Sequence, residues 1–261
     1  MTNINFSLEE KLAAEIVRAS TAYYRGQPIM SDDIFDELVN KLHSVNPNHK
    51  VFGKPFGGDS LLSLDNGRLE EWYRGKRKNT PLVIEPKIDG VALALVYQSG
   101  ELQRAYTRSG RDVTRYAFEV PDIPVTVPRL GQFTVRGELY ALNEHAPKSQ
   151  RIAAAQLRRL QPECHLLSFM AFQILNSQND HKENLKTLRQ LDFNVVPYVA
   201  VNSYEEIKEC HNQWLDGKFF ESNYFSFLPT DGLVVKVNSR SIQKQLGQST
   251  KCPHWALALK G

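Results

Sequence analysis

Four stretches of this chain mix strand-forming aliphatic residues with charged side chains at alternating positions, and that combination limits how the chain can fold. They are Glu85-Pro86-Lys87-Ile88-Asp89-Gly90, Val135-Arg136-Gly137-Glu138-Leu139-Tyr140, Asp231-Gly232-Leu233-Val234-Val235-Lys236-Val237 and Trp255-Ala256-Leu257-Ala258-Leu259-Lys260. Side chains along a strand alternate faces, so Glu85, Lys87 and Asp89 share one face. Arg136 shares a face with Glu138, and Lys236 with Val234. Lys260 shares one with Ala256 and Ala258, which are small enough to leave space beneath a bound group. Three ionisable groups on one face of an apolar strand are costly to bury without a purpose. Gly90 removes a side chain where another backbone or a ligand can approach. Each stretch alone also fits a plainer structure, either an exposed strand end or an edge lysine whose head reaches water. Four such stretches, with charged positions closing apolar strands, are harder to dismiss.

The intervening sequence predicts what surrounds them. Leu82 to Lys87 is a strand, and Val91 to Tyr97 with Leu102 to Tyr106 form a hairpin turning at Ser99-Gly100. Further strands are expected over Phe133 to Leu142, Leu166 to Leu175, Gly232 to Asn238 and Trp255 to Lys260, with helices near Ser149 to Leu160, Lys182 to Gln190 and Tyr204 to Leu215. Hairpin-joined strands with irregularly placed helices indicate an α+β domain and not a doubly wound parallel sheet. The first fifty residues differ. Ser7 and Glu10 form a capping-box pattern ahead of Leu8, Leu12 and Ile16 at helical spacing. Ser31 can cap a second helix with an apolar stripe of Ile34, Phe35, Leu38, Val39 and Leu42. Two such helices cannot enclose a core alone, so residues 1–57 are expected as a helical subdomain against a larger domain of residues 58–261. A Gly-rich loop around Lys54 to Asp59 joins them.

Composition excludes several classes. No apolar run is long enough to span a bilayer, and the N-terminus lacks a basic stretch followed by an apolar one. Cys164, Cys210 and Cys252 are odd in number and far apart, which argues against a disulfide framework and against zinc. A reducing, cytoplasmic setting fits. A net charge of +3 does not announce a polyanion partner. Basic residues cluster at Arg74, Lys76, Arg77 and Lys78 and at Arg151, Arg158 and Arg159, groups that suit either a solvated surface or phosphate contacts.

In their order, Lys-x-Asp-Gly, Arg-Gly-Glu, Asp-Gly-x-Val-x-Lys and Trp-Ala-x-Ala-x-Lys resemble the successive motifs of the covalent nucleotidyltransferases. The wording VRGELY, DGLVVKVN and CPHWALALK, with LLSLDN ahead of the lysine motif, resembles the NAD-dependent DNA ligases within that superfamily. YYRGQPIMSDDIFDEL resembles the N-terminal element by which that family recognises the nicotinamide mononucleotide half of NAD.

The resemblance implies a nucleotidyltransferase fold of antiparallel, ATP-grasp-like sheets with flanking helices. It also implies a set of roles. Lys87 would attack the α-phosphorus of NAD, forming lysyl-AMP and expelling nicotinamide mononucleotide, its amine uncharged through burial and the field of neighbouring cations. Glu85 would contact the adenine, and Arg108 and Glu138 the ribose and its surroundings. Ser63 and Leu64 would line the nucleotide pocket. Lys236 and Lys260 would stabilise phosphate charge, and Asp89 would orient Lys87 or a metal. Tyr23, Tyr24, Asp32, Phe35 and Asp36 would hold the nicotinamide mononucleotide. Mg²⁺ is expected, with no metal ligands assigned, and zinc is not expected in this chain. Family members commonly carry histidine at the place of Tyr24 and tyrosine at that of Phe35.

The chain stops just past the last motif, where the family continues into OB-fold, zinc-binding, helix-hairpin-helix and BRCT regions. Sealing of nicked double-stranded DNA is therefore expected to need a longer polypeptide or a second subunit. An ATP-dependent RNA or DNA ligase-like nucleotidyltransferase and a non-catalytic nucleotide-binding subunit remain as alternatives.

Overall fold

The computed structural model describes residues 7–24, 29–46, 61–76, 80–142, 148–219, 228–249 and 252–261. The expected 57/58 boundary, the Gly-rich loop and the side chains of Tyr23, Tyr24, Asp32 and Asp36 lie outside the described set.

Helix α1 (Leu8–Tyr24) starts with the expected capping box: the Ser7 N–H donates to Glu10 Oε2 (2.9 Å) and the Glu10 N–H to Ser7 Oγ (3.2 Å). Helix α2 (Asp32–Val45) has Ser31 at its N-cap in an extended conformation, but the serine side chain makes no capping hydrogen bond. Its backbone carbonyl accepts from Phe35 N–H instead, at 3.0 Å. Leu12, Ala13, Ile16 and Leu42 form a small core against which Phe35 and Leu38 pack. Leu8 and Ile34, expected on the apolar stripes, are 55% and 51% exposed. Two helices share only a narrow seam, so flanking positions stay open. The pair leans on the rest of the chain through α1 and the short helix α4 (Thr114–Glu119).

The larger part is built on two four-stranded antiparallel sheets. One has the order β6 (Val199–Val201), β1 (Leu82–Ile88), β7 (Thr230–Val237), β8 (Ala256–Leu259). The other has the order β3 (Glu101–Thr107), β2 (Val91–Gln98), β4 (Gln132–Ala141), β5 (Leu167–Ile174). The β2–β3 turn falls at Ser99-Gly100, both at positive φ (52° and 85°), the pair that a two-residue hairpin turn requires. The expected helices appear as α5 (Ser149–Gln156), α6 (His181–Gln190) and α7 (Tyr204–Leu215). Strand β6 and helices α3 (Leu69–Arg74), α4 and α8 (Arg240–Leu246) were not foreseen; none is longer than two helical turns.

Strand alternation sorts the two faces of each sheet. Leu82, Ile84, Leu233, Val235, Val237, Leu257 and Leu259 pack with Ile207 of α7 into one core. Leu93, Leu95, Tyr97, Val135 and Leu139 join Leu185 and Leu188 of α6 and Ala153 of α5 in the other. The opposite faces carry Val83, Glu85 and Lys87 beside Val234, Lys236, Ala256 and Ala258, and Ala92 and Ala94 beside Glu138 and Arg136. These charged faces meet in a cleft between the sheets. Among the described residues no helix is long and apolar enough to cross a membrane.

Candidate active site

The cleft encloses a cavity of about 640 Å³. Nine residues expected at the site from sequence line it: Ser63, Leu64, Glu85, Lys87, Asp89, Arg108, Glu138, Lys236 and Lys260. Phe35 does not; its ring packs in the core of the helix pair. Of Tyr23, Tyr24, Asp32 and Asp36 only the helical backbone is described.

Lys87 is positioned by its partner strand. Pro86 pairs with Leu233 and Ile88 with Thr230, so Asp231 and Gly232 together stand opposite the single residue Lys87. This is a β-bulge, which bends a strand and re-aims a side chain. It turns the Asp231 carboxylate onto Lys87, with Nζ to Oδ1 at 2.6 Å, while Lys260 Nζ lies 3.1 Å from the other oxygen. Burial pushes the Asp231 carboxyl up, but the hydrogen bonds and charges of Lys87 and Lys260 outweigh it and hold it below the ordinary range. Asp89 lies past the end of β1, its backbone N–H bonded to the Pro229 carbonyl. The carboxylate in direct contact with Lys87 is thus Asp231, while Asp89 was expected to orient Lys87 or a metal. Asp89 still faces the cluster: burial first, then the charge of Asp231, raises its carboxyl.

Glu85 is buried beneath the cavity floor, 1% exposed. Lys236 Nζ donates to its Oε2 at 2.5 Å, and His181 Nε2 bonds its Oε1. Burial would raise this carboxyl, but Lys236 and His181 together bring it below the ordinary range. Burial, against the pull of Glu85, also lowers His181; a carboxylate only accepts, so the ring nitrogen facing it donates. Lys236 lies 4.9 Å from the centre of the Phe172 ring, which lines the same cavity.

On the facing sheet Glu138 is pushed up to about 8 by burial and by Asp89, against the pull of Arg136, Lys87 and Arg108. Arg136 stacks over Phe172 at 5.5 Å and donates to the Leu62 carbonyl at 2.7 Å. Arg108 donates to Ser63 Oγ at 2.8 Å. These two bonds tie the segment of Leu62 to Asn66 to the mouth of the cavity.

Four residues gain roles that sequence reasoning did not give them. Asp231 and Arg136 lay inside quoted motifs; a carboxylate next to Gly232 at a strand start was the available signal. His181 and Phe172 had none, because each reaches the site only through folding. The basic groups divide. Arg74 pairs with Glu70, Lys76 lies 4.1 Å from the centre of the Trp72 ring, and Arg77 and Lys78 fall outside the described residues. Arg159 pairs with Glu163 at 2.5 Å, whereas Arg151 and Arg158 stand exposed at α5 and its end.

The family model for the NAD-dependent DNA ligase adenylation domain matches residues 52–261. A DNA ligase of Fervidobacterium nodosum is 31% identical, covering 96% of this chain and 44% of the relative. One of Halothermothrix orenii is 30% identical, covering 91% of this chain and 43% of the relative. The chain thus spans less than half the length of these curated relatives. A solved structure described as "Pmar-Lig_Pre." shares the fold, with a TM-score of 0.50 at 12% identity over 86% of this chain and 50% of that one. A lysine held by a strand bulge in a cleft between two antiparallel sheets, and a family match over most of the chain, place this protein among the NAD-dependent DNA ligase adenylation domains.

Proposed function

We propose that the chain takes AMP from NAD onto Lys87 as the charging step of DNA ligation. The observation that carries this reading is the placement of Lys87 in the cavity, with Lys236 and Lys260 supplying positive charge around it. In the step, Lys87 Nζ as a free amine attacks the α-phosphorus. The N–P bond forms, the P–O bond of the pyrophosphate breaks, and nicotinamide mononucleotide leaves with the electron pair. Before that, the Lys87–Asp231 bridge must open so that Nζ is free to attack. Lys236 and Lys260 would hold the phosphate oxygens as charge develops. Phe172 and Glu85 suit the base, and Glu138 with Arg108 the ribose. Tyr23, Tyr24, Asp32, Phe35 and Asp36 are the proposed contacts of the nicotinamide mononucleotide.

Asp89 and Glu138 both line the cavity, and a hard cation there would offset the burial that disfavours their charged forms. Among the described residues no group of three ligands gathers. Mg²⁺ typically binds one or two carboxylates together with substrate phosphates. It would supply neutralisation of phosphate charge. Joining of 5′-phosphate to 3′-hydroxyl ends in nicked duplex DNA would follow, with further domains or a second subunit completing the grip. The exposed Arg151 and Arg158 are available to strand phosphates.

Incubation with adenine-labelled NAD or with labelled ATP, followed by a denaturing gel, tests the donor. Labelling from NAD alone is expected; labelling from ATP alone would overturn the reading.

A further inference from the structure

A second cavity, of about 270 Å³, adjoins the nucleotide cavity and shares Leu62, Arg136, Gln173, Pro253 and Trp255 with it. Its other walls come from residues 174–177 after β5, from α6, and from α8 with the segment that follows. Arg136, Arg240 and Lys244 bring three cationic side chains to it, and no aspartate or glutamate is among the described residues that line it. Of the neighbouring carboxylates, Glu138 attracts Arg136 but lines the nucleotide cavity only, and two others are engaged elsewhere. Asp180 caps α6 and accepts from the Arg240 backbone N–H at 2.8 Å, and Glu85 is taken up by Lys236 and His181.

Among the described residues, two buried side-chain polar atoms have no hydrogen-bond partner: Nε of Arg136 and Nε of Arg240. Both residues line this one cavity. A guanidinium stays charged and has only donors to offer, so a buried N–H without an acceptor is costly. The acceptors these cations do have are neutral: the Leu62 carbonyl for Arg136 (2.7 Å), Gln243 Oε1 for Arg240 (3.4 Å) and Gln178 Oε1 for Lys244 (2.5 Å). Amide side chains of Gln173, Asn184 and Gln248 add further donors to the lining.

We propose that this second cavity is a subsite for a tetrahedral oxyanion of the phosphate class, held by Arg136, Arg240 and Lys244. An anion has the several acceptor oxygens that these donors lack, and charge-assisted bonds to arginine are the strong ones. Arg136 also holds the Leu62 carbonyl, next to Ser63 at the mouth of the nucleotide cavity, so the occupied subsite steadies that wall. The anion is either a free ion or the phosphate of a nucleic-acid strand.

Calorimetric titration of the whole chain with inorganic phosphate, at an ionic strength fixed with chloride, tests this. Arg240 and Lys244 do not line the nucleotide cavity, so their substitution separates the two places where phosphate could sit. R240Q/K244Q is expected to weaken phosphate binding about ten- to hundredfold. Lys244→Gln alone, at an exposed position, is expected to weaken binding severalfold without risk to folding. Competition by a 5′-phosphorylated nicked duplex that disappears in R240Q/K244Q assigns the subsite to a strand phosphate; no competition assigns it to the free anion. Absence of phosphate binding in the unmodified chain, or unchanged binding in the folded R240Q/K244Q and Lys244→Gln variants, overturns the proposal.

Discussion

Lys87 is held through its charge by Asp231, and Asp231 is held in turn by Lys260. Asp231→Asn keeps the shape but removes the negative charge that centres the amine. Misplacement of a reacting atom by about 1 Å can cost on the order of a hundredfold in rate, and a loss of that order is expected in single-turnover adenylylation, with the melting temperature nearly unchanged. Retention of the full rate would show that the bridge is dispensable. Glu138 carries a pH signature of definite sign. Its carboxyl is raised from 4.5 to about 8, so the folded chain binds this proton more tightly than the unfolded chain. The stability it contributes is complete below about pH 4 and is lost as pH rises towards 8. Glu138→Gln removes this titration. Chemical denaturation at pH 5 and pH 8 should show the variant gaining on the parent chain by roughly 1–3 kcal/mol across that window. An unchanged difference would mean that the carboxyl is not raised. Glu85 has the opposite sign. Lys236 and His181 keep it ionised, so its contribution holds at neutral pH and is lost in acid as it protonates.

At the scale of elements, period-two alternation was legible because each sheet has one apolar and one charged face. Strands β1, β2, β3, β4, β5, β7 and β8 lie where the strand pattern put them, and α7 covers the expected Tyr204–Leu215. The misses have a common cause. β6 is a three-residue strand that exists through pairing with β1, and α3, α4 and α8 are six or seven residues long. Elements this short owe their form to tertiary contact more than to propensity. The bulge at Asp231-Gly232 was likewise invisible, because it is a mismatch between two strands and belongs to neither sequence alone. It depends on Gly232, whose φ is 153° and whose added Cβ would lie 2.2 Å from the Leu259 carbonyl oxygen. Gly232→Ala must therefore push β8 away or straighten the bulge, and overpacking of this kind costs about 1–3 kcal/mol. Denaturant titration should record that loss together with weaker adenylylation. A variant of parental stability would show that the strands can part without cost.

For the molecule as a whole, the fold gathers the four charged motifs around one cavity, because their sheets face each other. What sequence could not supply was the second layer: His181, 96 residues from Glu85 along the chain, and Phe172 beside Lys236. The helix pair packs on itself through Leu12, Ile16 and Leu42 and touches the remainder through α1 and α4. The proposed charging step turns on the chemistry of one amine. The most direct measurement is mass spectrometry of the intact chain after incubation with NAD and Mg²⁺, followed by peptide mapping. A single AMP adduct on the peptide containing Lys87, absent in Lys87→Ala, is the predicted result. A folded chain without the adduct, or an equal adduct in Lys87→Ala, would contradict it.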